Sequence, residues 1–223
     1  MKIVRGVLLD VDGTLLASND AHATSWKRAL HDEGITVSHE QMRKLVGMGG
    51  DQLLPQLGLS SDDGPGKRAA ARKDLIFREE LLSTLQPTRG ARAFVAKLRE
   101  LGLVTVVASS SKAEDLRALL RAARVDDLIL DQATSSDADR SKPHPDIVDA
   151  AVSRSGLPKD ALVMLGDTPY DVAAALRADV NVVCVRCGGW DDKDLRGASA
   201  IYDDPQAILD GLATSIFAHA ATA

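Results

Sequence analysis

Residues 7–14 read VLLDVDGT, and this stretch decides the fold that the sequence predicts. Residues 7–9 form a continuous apolar run, which is typical of a strand buried on both faces of a parallel sheet. The run ends in Asp10 and Asp12, and two carboxylates at a buried strand end are costly, because they repel each other and both lose hydration. A divalent cation such as Mg²⁺, which prefers oxygen ligands, would relieve that cost. An Asx turn explains the same residues without a ligand, so this stretch alone leaves both interpretations open.

The composition is that of an ordinary globular protein, with room for one large domain or for a core with a second small domain. The chain has 223 residues, of which 45% are hydrophobic and 26% are charged. A formal net charge of −5 argues against a nucleic-acid partner, which would require a basic face. No apolar run approaches the ~20 residues of a membrane span, so we expect no membrane partner.

The cysteines and the N-terminus bear on the cellular compartment. Cys184 and Cys187 lie in a predicted strand, VVCVRC, where positions i and i+3 point to opposite faces, so we expect neither a disulfide nor a shared metal. The first ten residues end in an acidic residue and lack a small-residue cleavage site, which argues against a signal peptide. We therefore expect a cytoplasmic protein, either a monomer or a homodimer.

Hydrophobic periodicity divides the chain into two parts. Residues 17–87 show helical patterns only, whereas helices and strands alternate from residue 90 onward, which indicates βαβ units with a parallel sheet. The predicted helices of the first part are residues 21–33, 38–46, a short helix ending at 57, and 67–85. The predicted strands after the first are residues 103–108, 128–130, 162–165 and 180–185, and a terminal helix is predicted over 205–218.

Polar residues follow the predicted strands at the points where they end. Serines and a lysine follow one strand (109–112), GDTPYD follows another (166–171), and SKPHPD (141–146) places Lys142 in a loop between them. The carboxyl ends of parallel strands share one edge of the sheet, so these groups converge there. Singly, each has an ordinary explanation as a helix cap or a solvated lysine. Together they indicate a site that holds a phosphoryl group and Mg²⁺.

These segments resemble the four motifs of the haloacid dehalogenase superfamily. DVDGT, the serine after a hydrophobic strand, SKPHPD and GDTPYD occur in the order and at the spacing of that superfamily. The resemblance implies a doubly wound α/β core with a parallel sheet, formed by residues 1–16 and 88–223. It also implies that residues 17–87 form an inserted α-helical domain, which we call the helical cap.

The resemblance implies a catalytic role for the acidic residues. Asp10 is then the nucleophile that becomes an aspartyl-phosphate, and Asp12 is the general acid that protonates the leaving oxygen and later the base that activates water. Mg²⁺ is held by the carboxylates of Asp10 and Asp167 and by the backbone carbonyl of Asp12. Asp171 holds metal-bound water or Lys142.

The resemblance also implies a cradle for the phosphoryl group. Ser109 donates to a phosphoryl oxygen, and Lys142 neutralises the charge that develops during transfer. Backbone N–H groups around Val11 and Ser110 complete the cradle.

Two reactions within the superfamily remain candidates. We favour a phosphatase acting on a small phosphorylated metabolite, with phosphoglycolate and sugar monophosphates both reasonable. The alternative is a sugar phosphomutase similar to β-phosphoglucomutase, because His22 and Trp26 are spaced as in the first cap helix of that group. Against it, Gly166 stands before Asp167 where the mutase usually has glutamate, and the loop GMGGD (47–51) lacks the arginine with which the mutase grips a second phosphate.

The cap residues have two interpretations each. His22 is either a partner that tunes Asp12 or a half-exposed histidine on the first cap helix, and Trp26 is interpreted as part of the cap core. Gly47 and Gly50 belong either to a loop that meets substrate when the cap closes or to a helix–helix turn.

A non-catalytic alternative is a receiver-like phospho-switch module, which also combines acidic residues, a Ser or Thr and a lysine on an α/β sheet. Such modules are shorter, and their acidic pair and phosphorylated aspartate lie on different strands. An enzyme would release phosphate from p-nitrophenyl phosphate repeatedly, whereas a switch module would not.

Overall fold

A six-stranded parallel sheet forms the centre of the computed structural model, which describes residues 3–219. The strands are β1 (Gly6–Leu9), β2 (Val104–Ala108), β3 (Asp131–Ala133), β4 (Leu162–Gly166), β5 (Asn181–Val185) and β6 (Ala200–Tyr202). Their order is β3-β2-β1-β4-β5-β6, and every neighbouring pair is parallel. The doubly wound α/β sheet that the sequence predicts is confirmed. The order reverses direction at β1, and ligands of such sheets bind beyond the strand ends at that point.

Helices cover both faces of the sheet and fill the segment after β1. They are α1 (Asn19–Asp32), α2 (His39–Leu45), α3 (Gly50–Gln56), α4 (Gly64–Ile76), α5 (Ala91–Glu100), α6 (Ala113–Ala122), α7 (Asp146–Ser155), α8 (Pro169–Arg177) and α9 (Pro205–Asp210). None of the helices within residues 3–219 has the length and apolar character that crossing a membrane requires.

Alternation along β1 builds two apolar layers. Leu9 is fully buried in a cluster with Phe94 of α5, whereas Leu8 is fully buried in a second cluster with Ile147 of α7. Successive side chains of a strand point to opposite faces, so one short apolar run supplies both layers. This double burial positions the strand end, and with it Asp10, rigidly.

The helices of residues 17–87 have an apolar cluster of their own. Its buried members all fall between Ala23 and Ile76, and they include Trp26, as interpreted from the sequence. The division into a core of residues 1–16 and 88–223 and a helical cap of 17–87 stays a prediction, which this separate cluster supports.

The two chain segments that enter and leave the helical cap run side by side. Leu16 pairs with Pro87 in an antiparallel bridge. The N–H of Ala17 donates to Gln86 O at 3.0 Å, and the N–H of Thr88 donates to Leu15 O at 3.0 Å. The cap is therefore joined to the core through one narrow, hydrogen-bonded double connection.

The edge strands differ from the sequence prediction. The prediction of a strand over residues 128–130 is wrong. The observed strand β3 begins at Asp131, and Leu130 is 83% exposed. β6 was not predicted at all. Both strands have three residues and lie at the sheet edges, where polar residues are tolerated and the apolar pattern is weak.

Three further boundaries also differ. The helix predicted over 67–85 ends at Ile76 and continues as a π-helical turn (Phe77–Leu81) and a 3₁₀ turn (Leu82–Thr84). The terminal helix predicted over 205–218 ends at Asp210. Cys187 lies in a 3₁₀ turn after β5 rather than in the strand, and both cysteines are free.

Phe94 offers a test of the packing between α5 and the sheet. Its ring is fully buried and meets Phe217 edge-on, with centroids 5.5 Å apart. We expect Phe94→Ala to lower the free energy of unfolding by about 3–5 kcal/mol, because it leaves a cavity in a close-packed core. Urea unfolding followed by circular dichroism measures this, and Leu130→Ala, at an exposed position, should change stability by less than about 0.5 kcal/mol. Equal effects of the two substitutions would contradict this packing.

Candidate active site

A cavity of about 170 Å³ lies between the strand ends and the helical cap. The sheet side contributes Asp10 after β1, Ser109 after β2 and Asp171 from α8, and the cap side includes His22 and Trp26. The convergence of the predicted site residues at the carboxyl edge of the sheet is therefore observed.

A buried lysine joins two of the carboxylates. Lys142 is 1% exposed, and its Nζ lies 2.7 Å from Asp10 Oδ1 and 2.7 Å from Asp171 Oδ1. Burial alone would lower the pKa of Lys142, but the two carboxylates outweigh it and raise the pKa above its ordinary value. The lysine is consequently charged at neutral pH and points its charge at Asp10.

Asp167 completes an acidic cluster beside that lysine. The Thr14 hydroxyl lies 3.1 Å from both Asp10 Oδ2 and Asp167 Oδ1, and Asn19 Nδ2 donates to Asp167 Oδ2 at 2.8 Å. Oxygens of Asp10, Asp167 and Asp171 all lie within 4.8 Å of one another.

The cluster carries more negative charge than Lys142 balances. Burial, followed by the charges of Asp10 and Asp171, raises the pKa of Asp167 well above its usual value. Burial likewise raises the pKa of Asp10 to about 7, although Lys142 opposes the shift. The buried carboxylates of Asp10, Asp167 and Asp171 together form a donor set of hard oxygens, which fits a divalent cation such as Mg²⁺.

Asp12 lies in a different environment from Asp10. Ser18 Oγ donates to Asp12 Oδ1 at 2.6 Å, His22 Nε2 lies 2.8 Å from the same oxygen, and Ser111 Oγ donates to Oδ2 at 3.2 Å. Burial would raise the pKa of Asp12, but His22 and Ser18 outweigh it and hold the pKa well below its usual value.

The ring of His22 is held in place from the cap side. It stacks on Phe77 with centroids 4.1 Å apart and planes inclined by 2°. Phe77 begins the π-helical turn after α4, a distortion that frequently accompanies functional sites. Of the two interpretations of His22, the geometry matches the one that places it against Asp12.

The serines after β2 line the same cavity as Asp10. Ser109 is 1% exposed, and its Oγ accepts the N–H of Ser111 at 3.1 Å. Ser110 Oγ lies in the cavity wall and has no hydrogen-bond partner among residues 3–219. A buried hydroxyl without a partner costs free energy unless a ligand completes its hydrogen bond.

The glycine loop of the cap lies directly against the cavity. Gly47 and Gly50 both line it. A Cβ at Gly47 would lie 2.7 Å from Thr168 Cγ2, and a Cβ at Gly50 would lie 3.5 Å from the Trp26 ring. The loop therefore closes over the strand ends, while its contact with substrate stays a prediction.

Several polar residues of the site were not assigned from the sequence. Ser18 precedes α1 but makes no side-chain cap hydrogen bond, and the side chains of Ser18 and Asn19 turn toward Asp12 and Asp167. Lys73 lines the cavity, and its Nζ lies 5.2 Å from the Phe77 ring centroid. In the sequence it has only the pattern of a lysine in an amphipathic helix. Asn19 contacts a residue 148 positions away, so no local pattern predicts that partner, whereas the partners of Ser18 and Lys73 lie six and four residues away in the chain.

The stability of the acidic cluster should depend on pH and on divalent cations. Folding raises the pKa of Asp167 above its usual value of 3.8, so the folded protein retains a proton that the unfolded chain releases, and stability is lost as the pH rises above about 4. Without divalent cations, we expect Asp167→Asn to raise the melting temperature at pH 8, with the gain shrinking toward pH 4. Differential scanning fluorimetry measures the effect.

Magnesium supplies the control for that experiment. Adding Mg²⁺ at pH 8 should stabilise the wild-type protein and stabilise Asp167→Asn far less, because the variant lacks a ligand. A variant that is less stable than the wild type without Mg²⁺, or that responds equally to it, would contradict the proposed charge balance.

Comparisons with known proteins agree with this geometry. The family model described as haloacid dehalogenase-like hydrolase matches residues 7–185. A phosphoglycolate phosphatase of Rhodospirillum rubrum is 27% identical over 93% of this chain and 90% of its own length. The crystal structure of a hydrolase from Pseudomonas syringae is 28% identical, with a TM-score of 0.88 over 94% of this chain and 98% of that one.

A β-phosphoglucomutase from Clostridium difficile, 16% identical, has a TM-score of 0.83 over 97% of this chain and 98% of its own; it shares the fold alone. Since the family model covers most of the chain and ends with β5, both the sheet and the helical segment within it fall inside the match. The chain belongs to the haloacid dehalogenase-like hydrolases.

Proposed function

We propose that this protein is a Mg²⁺-dependent phosphatase that hydrolyses a small phosphorylated metabolite through an aspartyl-phosphate on Asp10. The chain is a phosphoric monoester hydrolase of its family, and relatives named phosphoglycolate phosphatase are similar along most of its length. The observation that carries the proposal is the contact of Asp10 with the buried, charged Lys142 at 2.7 Å beside two further carboxylates.

In the first step, a carboxylate oxygen of Asp10 attacks the phosphorus atom and the ester P–O bond breaks. Asp12 gives a proton to the leaving oxygen, so that an alcohol departs. Lys142 and the Ser109 hydroxyl stabilise the negative charge on the transferring group, together with the free Ser110 hydroxyl in the cavity wall.

In the second step, a water molecule attacks the phosphorus atom and the bond to Asp10 breaks, which releases phosphate. Asp12 takes a proton from this water. Asp12 is ionised in the free protein, because its pKa is held well below the usual value. It must therefore receive a proton before it can protonate the leaving oxygen, and His22 Nε2, 2.8 Å away, is placed to relay one. We therefore assign the acid–base role to the Asp12–His22 pair.

Asp10 and Asp167, with the backbone carbonyl of Asp12, would hold Mg²⁺, and Asp171 would support the site through Lys142. When bound, the cation neutralises charge on the phosphoryl oxygens and on the carboxylates that approach them. It also removes the electrostatic cost that burial imposes on the acidic cluster.

A sugar phosphomutase is not favoured. A Cβ at Gly166 would lie 2.5 Å from Asp171 Cβ and Cγ, so the glutamate that the mutase usually has there would displace Asp171. Gly50, in the loop that would grip a second phosphate, has no side chain. The cavity of about 170 Å³ is also suited to a compact ester such as phosphoglycolate or a small sugar monophosphate.

Asp10→Asn tests the nucleophile. We expect phosphate release from p-nitrophenyl phosphate and from a panel of phosphorylated metabolites to fall by more than about a thousandfold, because the amide cannot form the covalent intermediate. The fold should be retained, as circular dichroism would show. Asp62→Asn, at an exposed cap residue that hydrogen-bonds to the neighbouring Ser60 and Ser61, is the matched control and should retain full activity. Turnover by Asp10→Asn close to that of the control would show that another group attacks phosphorus.

Removal of divalent cations tests the metal requirement. Dialysis against a chelator should abolish phosphate release, and added Mg²⁺ should restore it, because the excess negative charge around Asp10 otherwise repels an anionic ester. Malachite-green detection of phosphate follows both steps. Undiminished activity after complete chelation would exclude an essential metal.

A further inference from the structure

We propose that Asp51 is a positioning residue for Lys142, so that seating of the helical cap on the core fixes the lysine against Asp10. The contact that carries this inference joins Asp51 of the cap to the backbone of Ser141 of the core. Its consequence for turnover rests on the proposed phosphatase function, whereas the contact itself does not.

The contact is a charge-assisted hydrogen bond between the helical cap and the core. Asp51 lies in the first turn of α3, and its Oδ2 accepts the N–H of Ser141 at 3.0 Å, over a separation of 90 residues. Gln52 Nε2 donates to the same oxygen at 2.8 Å. Burial would raise the pKa of Asp51, but these donors lower it, so the acceptor is an ionised carboxylate.

Ser141 is the residue directly before Lys142, so whatever holds its amide also fixes the origin of the lysine side chain. Ser141 is 8% exposed, and its carbonyl accepts the N–H of His144 at 3.1 Å within the same tight turn. The turn is thus held from within by His144 and from the cap by Asp51. The Nζ position between Asp10 and Asp171 depends on both.

The neighbouring glycine shows how closely the cap loop is seated. A Cβ at Gly49 would lie 2.1 Å from Ser141 Oγ. Only a residue without a side chain allows the loop to approach Ser141 this closely, and that approach brings the Asp51 carboxylate within hydrogen-bond distance of the amide.

Asp51 acts on the reaction indirectly. It is not among the residues that line the cavity, so its effect passes through Ser141 and Lys142 rather than through substrate. The Ser141 amide gains its acceptor only while the cap covers the site. Exclusion of water and restraint of the lysine therefore occur together.

The kinetic test compares two substitutions of Asp51. Asp51→Ala should lower kcat for p-nitrophenyl phosphate by about tenfold or more and leave KM within about twofold, since a small displacement of a charge-stabilising group slows the chemical step. Asp51→Asn keeps an acceptor oxygen and should remain within about threefold of wild type. Asp32→Ala is the control, because Asp32 pairs with Arg72 entirely within the cap.

Wild-type kcat in Asp51→Ala would overturn the proposal. A loss confined to KM would also overturn it, because it would place Asp51 in substrate binding. A loss in Asp51→Asn equal to that in Asp51→Ala would overturn it as well, because a variant that keeps an acceptor oxygen for the Ser141 amide would then fail to hold the lysine.

Amide hydrogen exchange measured by NMR tests the contact without any assay of activity. The Ser141 amide should exchange about tenfold faster in Asp51→Ala than in wild type, and at the wild-type rate in Asp51→Asn and Asp32→Ala. Unchanged exchange in Asp51→Ala would refute the contact even if the enzyme is a phosphatase. Conversely, faster exchange in Asp51→Ala would support the contact even if Asp10→Asn retained turnover and the proposed function failed.

Discussion

The rest of the site depends on the ion pairs that the buried ammonium group of Lys142 makes with Asp10 and Asp171. A buried charge is stable only when its partners are placed well and keep their own hydrogen bonds. Here each partner is held at the end of a different strand or at the start of a helix, and Thr168 Oγ1 donates to Asp171 Oδ2 at 2.6 Å. The sheet, which buries β1 on both faces, is what keeps these ends in register.

Two carboxylates only two residues apart acquire opposite character from their surroundings. Burial and neighbouring negative charge raise the pKa of Asp10, whereas His22 and Ser18 lower that of Asp12. The core therefore controls one carboxylate, and the cap controls the other through His22. Such separation is how a pair of similar groups comes to take different parts in one reaction.

The sequence predicted the parts of this structure that depend on local pattern. The apolar runs of β1, β2, β4 and β5 are long enough to identify, and the acidic, serine and lysine motifs stand at strand ends where the topology brings them together. The edge strands β3 and β6 escaped prediction because three residues with one open edge need little apolar character. The contacts of Thr14, Asn19, Ser111 and Asp51 escaped it because each joins segments distant in the chain, and only the folded arrangement determines such partners.

The hydrogen-bonded pair of connections at Leu16 and Pro87 has a consequence for how such an enzyme diversifies. The ends of the helical cap are already neighbours, so the segment between them can be lengthened, rebuilt or exchanged without pulling β1 away from the strands beside it. The cap residues that line the cavity can thus change by recombination of a whole segment. The chemistry at the strand ends is inherited intact.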